Sequence, residues 1–342
     1  MGFTRHTAAL VTIAITGLAP AATSAAAASA SSVPGTAPAA KGCIRMTATI
    51  PVGTNPAGVA VDPKTNTVYV ANSLDNTVSV INGRTDIVTA TIPVGTEPRG
   101  IAADAKTNTI YVANFGDDTV SVISGKTDTV TATIPVGSFP FGVAANPKTN
   151  TIYVTNDVDN TVSVISGKTD TVTATIPVGR SFFAGVAVDP KTNTVYVTNN
   201  PSNTVTVIDG KTDTVTATIP LGAPIGAPVG IAANPKTNTI YVANAGDNTV
   251  SVISGKTNTV TATIPVGNNP FGAAADPKTN TVYVTNFHGN RVSVISGKTN
   301  TETARIHVGR TPSGVAADPK THTAYVTNQN DNTVSVLAPC PR

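Results

Sequence analysis

The tyrosines of this 342-residue chain stand at 69, 111, 153, 196, 241, 283 and 325, separated by 42, 42, 43, 45, 42 and 42 residues. A period near 42 belongs to a propeller, a solenoid or a linear array, and the strand content of one unit decides among them. In residues 142–179, the short apolar run 142–145 ends in Asn-Pro-Lys-Thr-Asn at 146–150, where Pro presets φ and Asn tolerates left-handed geometry. A β-branched run follows at 151–155 and turns at 157–160; a third run, 161–165, closes in Ser-Gly-Lys-Thr, and a fourth covers 171–178. Four short strands per unit without helical periodicity describe one antiparallel blade, so the chain is expected to be all-β, a seven-bladed β-propeller. Composition agrees: aromatics are 4%, charges 12% and Trp is absent, while Thr, Val, Asn and Gly suit strands and tight turns.

Proline orders the strands within a blade. The fourth run carries Pro51, Pro93, Pro135, Pro177, Pro220 and Pro265. A residue that cannot donate to a ladder belongs on an edge, so this strand is expected at the rim. The first run, rich in Gly, Ala and Val, then lies against the crowded axis.

The repeat Asp-Pro-Lys-Thr-Asn-Thr-Val-Tyr-Val-Thr-Asn, complete at 189–199 and 276–286, resembles that of the YVTN-family β-propellers. Three units read Tyr-Val-Ala-Asn instead, at Tyr69, Tyr111 and Tyr241, without disturbing the strand pattern. The resemblance spans all seven units and implies a propeller that is secreted, periplasmic or on the cell surface. It implies no particular chemistry, since most such proteins have no assigned activity.

The N-terminal segment points the same way. Arg5 and His6 precede an apolar stretch at 8–19 and the small-residue run Ala28-Ser29-Ala30, the pattern of a secretory signal peptide. Residues 1–30 are read as that signal, with Ala25 a comparable cleavage point, 31–42 as a flexible leader and 43–342 as the propeller. An uncleaved anchor would leave the propeller on the same side of the membrane, and no other stretch is apolar enough to span one. The expected location is secreted or cell-surface, and the expected state a monomer.

Counting strands locates the ring closure. The last unit supplies three runs, and the missing fourth is at the other end, where residues 47–53 match the fourth run of every other unit. Superposing Val336 on Val122 and Gly53 on Gly137 puts Cys340 and Cys43 at the positions of Lys126 and Thr127, neighbours in a hairpin turn. A Cys43–Cys340 disulfide is therefore expected, in keeping with an oxidising compartment.

Antiparallel blades place turns one and three on one face of the ring, and turn two with the inter-blade loops on the other. The first face is monotonous. Its Lys64, Lys106, Lys148, Lys191, Lys236, Lys278 and Lys320 would form a ring, read as solvated turn charges in preference to an anion site. The net charge of +3 gives no sign of a polyanion partner.

Variation gathers on the second face. All seven phenylalanines beyond the signal segment, Phe115, Phe139, Phe141, Phe182, Phe183, Phe271 and Phe287, fall in its loops. Two readings fit: a recognition surface, or rings plugging gaps between blades. The residue before each first-strand Gly is expected at the channel mouth: Ala57, Arg99, Phe141, Ala184, Val229, Phe271 and Ser313. That apolar set with one cation suits a small ligand or peptide with a negative group.

Chemistry-bearing clusters are sparse. His288 is the one histidine on the variable face. Asp117, Asp118, Asp157 and Asp159 would hold Ca²⁺ if their loops converged, but they read first as turn residues making local hydrogen bonds. No catalytic residue, metal ligand or cofactor is expected. The function expected is a non-catalytic binding or interaction module, the candidate ligand contacts being Arg99, the seven phenylalanines and His288. The alternatives are a lactonase-like or lyase-like propeller enzyme, or a single-stranded nucleic-acid binder using Arg99, Arg180, Arg291 and Arg310. Asp75, Glu97, Asp117, Asp118, Asp157, Asp159, Asp247 and Asp331 on the same face oppose the last.

Overall fold

The computed structural model describes residues 43–222 and 226–341. The signal segment and leader expected over 1–42 lie outside them. Seven four-stranded antiparallel sheets form the blades of a propeller, six of them ordered from axis to rim as the chain runs. Blade 1 consists of Pro56–Asp62, Thr67–Asn72, Thr77–Asn82 and Ile87–Pro93. The Pro-containing strand is outermost, as expected, with Pro93 as its last residue opposite Thr77. Among the described residues the only helix is a single 3-10 turn, Gln329–Asp331, and none is long and apolar enough to cross a membrane.

The hydrophobic core lies between sheets. Seven buried clusters occupy the seven gaps between neighbouring blades. In the first gap, Tyr69, Val78, Val80 and Ile92 of blade 1 meet Ile101, Ile110, Val112 and Ile123 of blade 2. Alternation along the inner strands supplies both faces of each blade, so every sheet is core on two sides and each blade depends on both neighbours.

The repeat motif is the joinery of this arrangement. Its Tyr is fully buried in the gap. Its Asn secures the second and third strands, as where Asn156 Nδ2 donates to Thr161 Oγ1 at 3.0 Å and Ser163 Oγ at 2.9 Å. Its Thr links blades at the axis: Thr155 Oγ1 accepts from Gly142 N and donates to Ala184 O of the next blade, both at 2.8 Å. The inner strands come so close that a methyl added at Gly100 would overlap the carbonyl oxygen of Phe141, which is why glycine holds that position.

Blade 7 is composite. Ile44–Pro51 pairs antiparallel with Thr333–Pro339, Ile50 opposite Val334 and Pro51 opposite Thr333. The covalent blades show the same register, Ile92 opposite Val78 and Pro93 opposite Thr77. The Cys43–Cys340 disulfide bridges a Cα separation of 5.4 Å, and Cys340 N donates to Cys43 O. Thr327 Oγ1 closes the inner seam by donating to Ala57 O of blade 1 at 2.7 Å.

Because the disulfide spans 297 residues, opening it restores much chain entropy to the unfolded state. The Cys43→Ser/Cys340→Ser variant is expected to lose about 2–4 kcal/mol in denaturant unfolding. Hydrogen exchange should show the loss first in residues 44–51 and 333–339, which become fraying edges.

Candidate functional site

A cavity of about 470 Å³ opens at the channel mouth on the variable face. Its throat is a ring of first-strand glycines, among them Gly58, Gly142 and Gly272, and above them stand Arg99, Phe141, Phe183, Val229, Phe271 and Phe287. The rings form a connected arc. Phe141 and Phe183 meet edge-on at 5.3 Å between centroids, Phe183 and Phe271 lie 6.5 Å apart, and Phe271 and Phe287 5.5 Å.

The remaining candidates lie outside this wall. Phe115 and Phe139 form a separate edge-on pair at 4.8 Å, joined to the cavity through Arg99, whose guanidinium sits 5.5 Å from the Phe115 centroid. Phe182, 49% exposed, packs under Arg180. His288 meets Phe287 edge-on at 5.4 Å between centroids without lining the cavity.

Ala184 is a correction. It does not face the channel mouth; its side chain is 1% exposed. The loop entering blade 4 has one more residue than five of its six counterparts and lacks their Pro, so the first strand starts late, at Val186–Asp189. Ala184 keeps the backbone role of the residue before Gly, its carbonyl accepting from Thr155, while Phe183 takes the place in the wall.

Phe183 is held there against its own preference. Its φ of 60° is left-handed, a conformation costly for a bulky side chain, and the ring is 49% exposed. Asp157 is the clamp: its carboxylate accepts from Phe183 N at 2.6 Å and Ala184 N at 3.1 Å. Burial pushes the Asp157 carboxyl up from 3.8 to about 6, although the two backbone N–H donors pull it down. Phe139 is the other left-handed aromatic, with φ 55° and its N–H donated to Asp118 Oδ1 at 2.8 Å.

The other aspartates weighed as cation ligands are occupied in the same way. Asp117 accepts from Thr96 N and Asp159 from Ser138 N, each pinning an inter-blade loop. Among the described residues no group of three or more His, Cys, Asp or Glu gathers as metal ligands.

Two polar contributors to the wall escaped the sequence analysis or changed meaning. Gln329 begins the 3-10 turn and reaches the cavity. It follows the motif Asn of blade 7, the position of Phe287 in blade 6, and that correspondence was the available signal. Ser313 lines the throat but is 2% exposed, its hydroxyl bonded to Ala57 O at 3.1 Å. Arg99 is held by Glu97 through one 3.5 Å contact in a half-buried pair, which leaves guanidinium donors for a ligand.

No family model matches the chain, and no curated protein matches it. Among solved structures, hydrazine synthase of Kuenenia stuttgartiensis is similar, with a TM-score of 0.73 and 21% identity over 90% of this chain and 98% of that one. At that identity the likeness shows the propeller fold alone.

The Asp157 clamp predicts a pH signature. Between pH 3.8 and about 6 the folded chain keeps a proton that the unfolded chain has released, so stability falls as pH rises through this window, by on the order of 2 kcal/mol for this group. Burial also raises Asp86, Asp128, Asp170 and Asp213, which act in the same direction. Asp157→Asn should therefore flatten the slope of unfolding free energy against pH in part, measured by denaturant titrations across the window.

Proposed function

We propose that this chain is a non-catalytic binding module of the YVTN-repeat propeller type, working outside the cytoplasm, that takes a compact apolar ligand with an anionic group into the variable-face cavity. The observation carrying this reading is the aromatic arc. Four rings contributed by different loops converge on one open cavity, one of them in a strained backbone conformation, with a single guanidinium at the edge. Rings that only filled gaps between blades would have no reason to converge on an open space. A volume of about 470 Å³ is within the range of small-molecule sites.

The extracytoplasmic part rests on the signal-like N-terminus and is compatible with the disulfide. An enzymatic reading has less support. The structural neighbour is named a synthase, but among the described residues the lining of this cavity offers a guanidinium, a hydroxyl and a carboxamide, without a carboxylate or imidazole to move a proton. A nucleic-acid reading meets eight acids against four arginines on this face.

Anilinonaphthalene sulfonate, an aromatic body with one anionic group, serves as the probe. Saturable binding at one site is expected. Phe141→Ala and Phe271→Ala should each weaken it about tenfold through lost ring burial, and Arg99→Gln severalfold, with the thermal midpoint nearly unchanged. A collapse of the midpoint together with unaltered probe binding would assign the rings to packing instead.

A further inference from the structure

The opposite mouth of the channel carries a second concavity of different chemistry. It measures about 510 Å³ and is lined by Lys148, Lys191, Lys236 and Lys278 with Pro190, Pro235 and Pro277, from four consecutive blades. Each lysine occupies the turn that follows an innermost strand, so the fold aims this position at the axis once per blade. All twelve described lysines lie on this face, and none forms an ion pair among the described residues. Lys236 Nζ reaches across to donate to Lys278 O at 3.2 Å, which keeps its ammonium at the mouth.

What lies beneath the lysines separates this sector from the rest of the ring. Two residues before each lysine a buried side chain accepts its backbone N–H. Under Lys320, Lys64 and Lys106 these are Asp318, Asp62 and Asp104, one carboxylate for each ammonium. Under the four lysines of the concavity the sequence alternates Asn146, Asp189, Asn234 and Asp276. The two asparagines are neutral and donate to the next blade, Asn146 to Asn193 Oδ1 at 2.6 Å and Asn234 to Asn280 Oδ1 at 2.7 Å. Asp276 also bonds His322 Nδ1 at 2.8 Å, engaging one of the two remaining carboxylates. Half the local counter-charge is therefore missing where the surface is concave.

We propose that this concavity is a binding site for a compact anion bearing several phosphate groups, seated on the propeller axis by Lys148, Lys191, Lys236 and Lys278. Four ammoniums on separate blades converge from different directions. That arrangement matches charge distributed around a small molecule better than the single file of a polymer backbone. The site shares no residue with the aromatic cavity, and the two stand or fall separately.

The test titrates the full-length protein at low salt with inositol hexakisphosphate and inorganic tripolyphosphate, followed by calorimetry. One saturable site that weakens with added salt is expected. Lys148→Gln/Lys191→Gln/Lys236→Gln/Lys278→Gln should weaken it about tenfold or more. Lys168→Gln/Lys211→Gln/Lys256→Gln/Lys298→Gln removes the same charge from the outer turns of the same blades and should change it less than about threefold. Asn146→Asp/Asn234→Asp, which restores the missing carboxylates, should weaken binding severalfold with every lysine present. Thermal midpoints near that of the parent confirm that the exposed Lys→Gln variants fold. Absence of saturable binding, equal losses in the two lysine variants, or displacement of the phosphates by a tighter-binding single-stranded oligonucleotide would overturn the proposal.

Discussion

Closure of the ring is the constraint on which the other contacts rest. Because the core sits in gaps between sheets, a blade without a neighbour exposes one of its two buried faces. Seven blades joined in a line would leave two such faces, and a ring leaves none. The last gap holds Ile50 from the N-terminal strand, Tyr325, Val334 and Val336 from the C-terminal strands, and Val59, Val68, Val70 and Ile81 from blade 1. Chain ends almost three hundred residues apart thus contribute to one apolar cluster, and the disulfide ties the two strands that carry it.

This dependence explains why the most repetitive residues say least about function. In the motif, Tyr fills the gap, Thr couples inner strands and Asn fastens a hairpin, so all three are consumed by architecture. Units with Ala in place of Thr, at Ala71, Ala113 and Ala243, do without the side-chain link and remain in register. The link therefore adds to packing that already places the strands. Functional information is left to positions where the units disagree, which the fold collects at the loop ends.

The legible parts were those that depend on local chain geometry. Period, strand order, composite blade and disulfide all follow from placing one repeat on another, because each blade obeys the same turn and ladder rules. The aromatic cavity was legible as a set of loops but not as a wall. Counting back from Gly185 selects Ala184, yet one inserted residue and a missing Pro put the left-handed residue that every inter-blade loop contains directly before it, at Phe183, whose side chain takes the place in the wall. Asp157 read as an ordinary turn acid, because its partners are backbone N–H groups 26 and 27 residues away. Gln329 was passed over for a similar reason: its place in the wall depends on convergence across the channel.

Net charge concealed most. A total of +3 averages a face that holds every described lysine with a face where carboxylates outnumber arginines two to one. The separation follows from the same alternation that sorts the loops. Turns one and three are short repeated hairpins that each carry a Lys in most units, and in turn one an Asp or Asn side chain accepts its N–H, so the basic residues recur at one end of every blade. Acids recur at the other end because their carboxylates accept the backbone N–H groups of the inter-blade loops. Lysine is thus tied to one turn geometry while aspartate serves both ends, so stacking seven copies around an axis gathers every described lysine on one face, interleaved there with ten aspartates. A neutral Asn in place of Asp leaves the turn bond intact while removing charge. The electrostatics of a sector can therefore change without disturbing the blade that carries it.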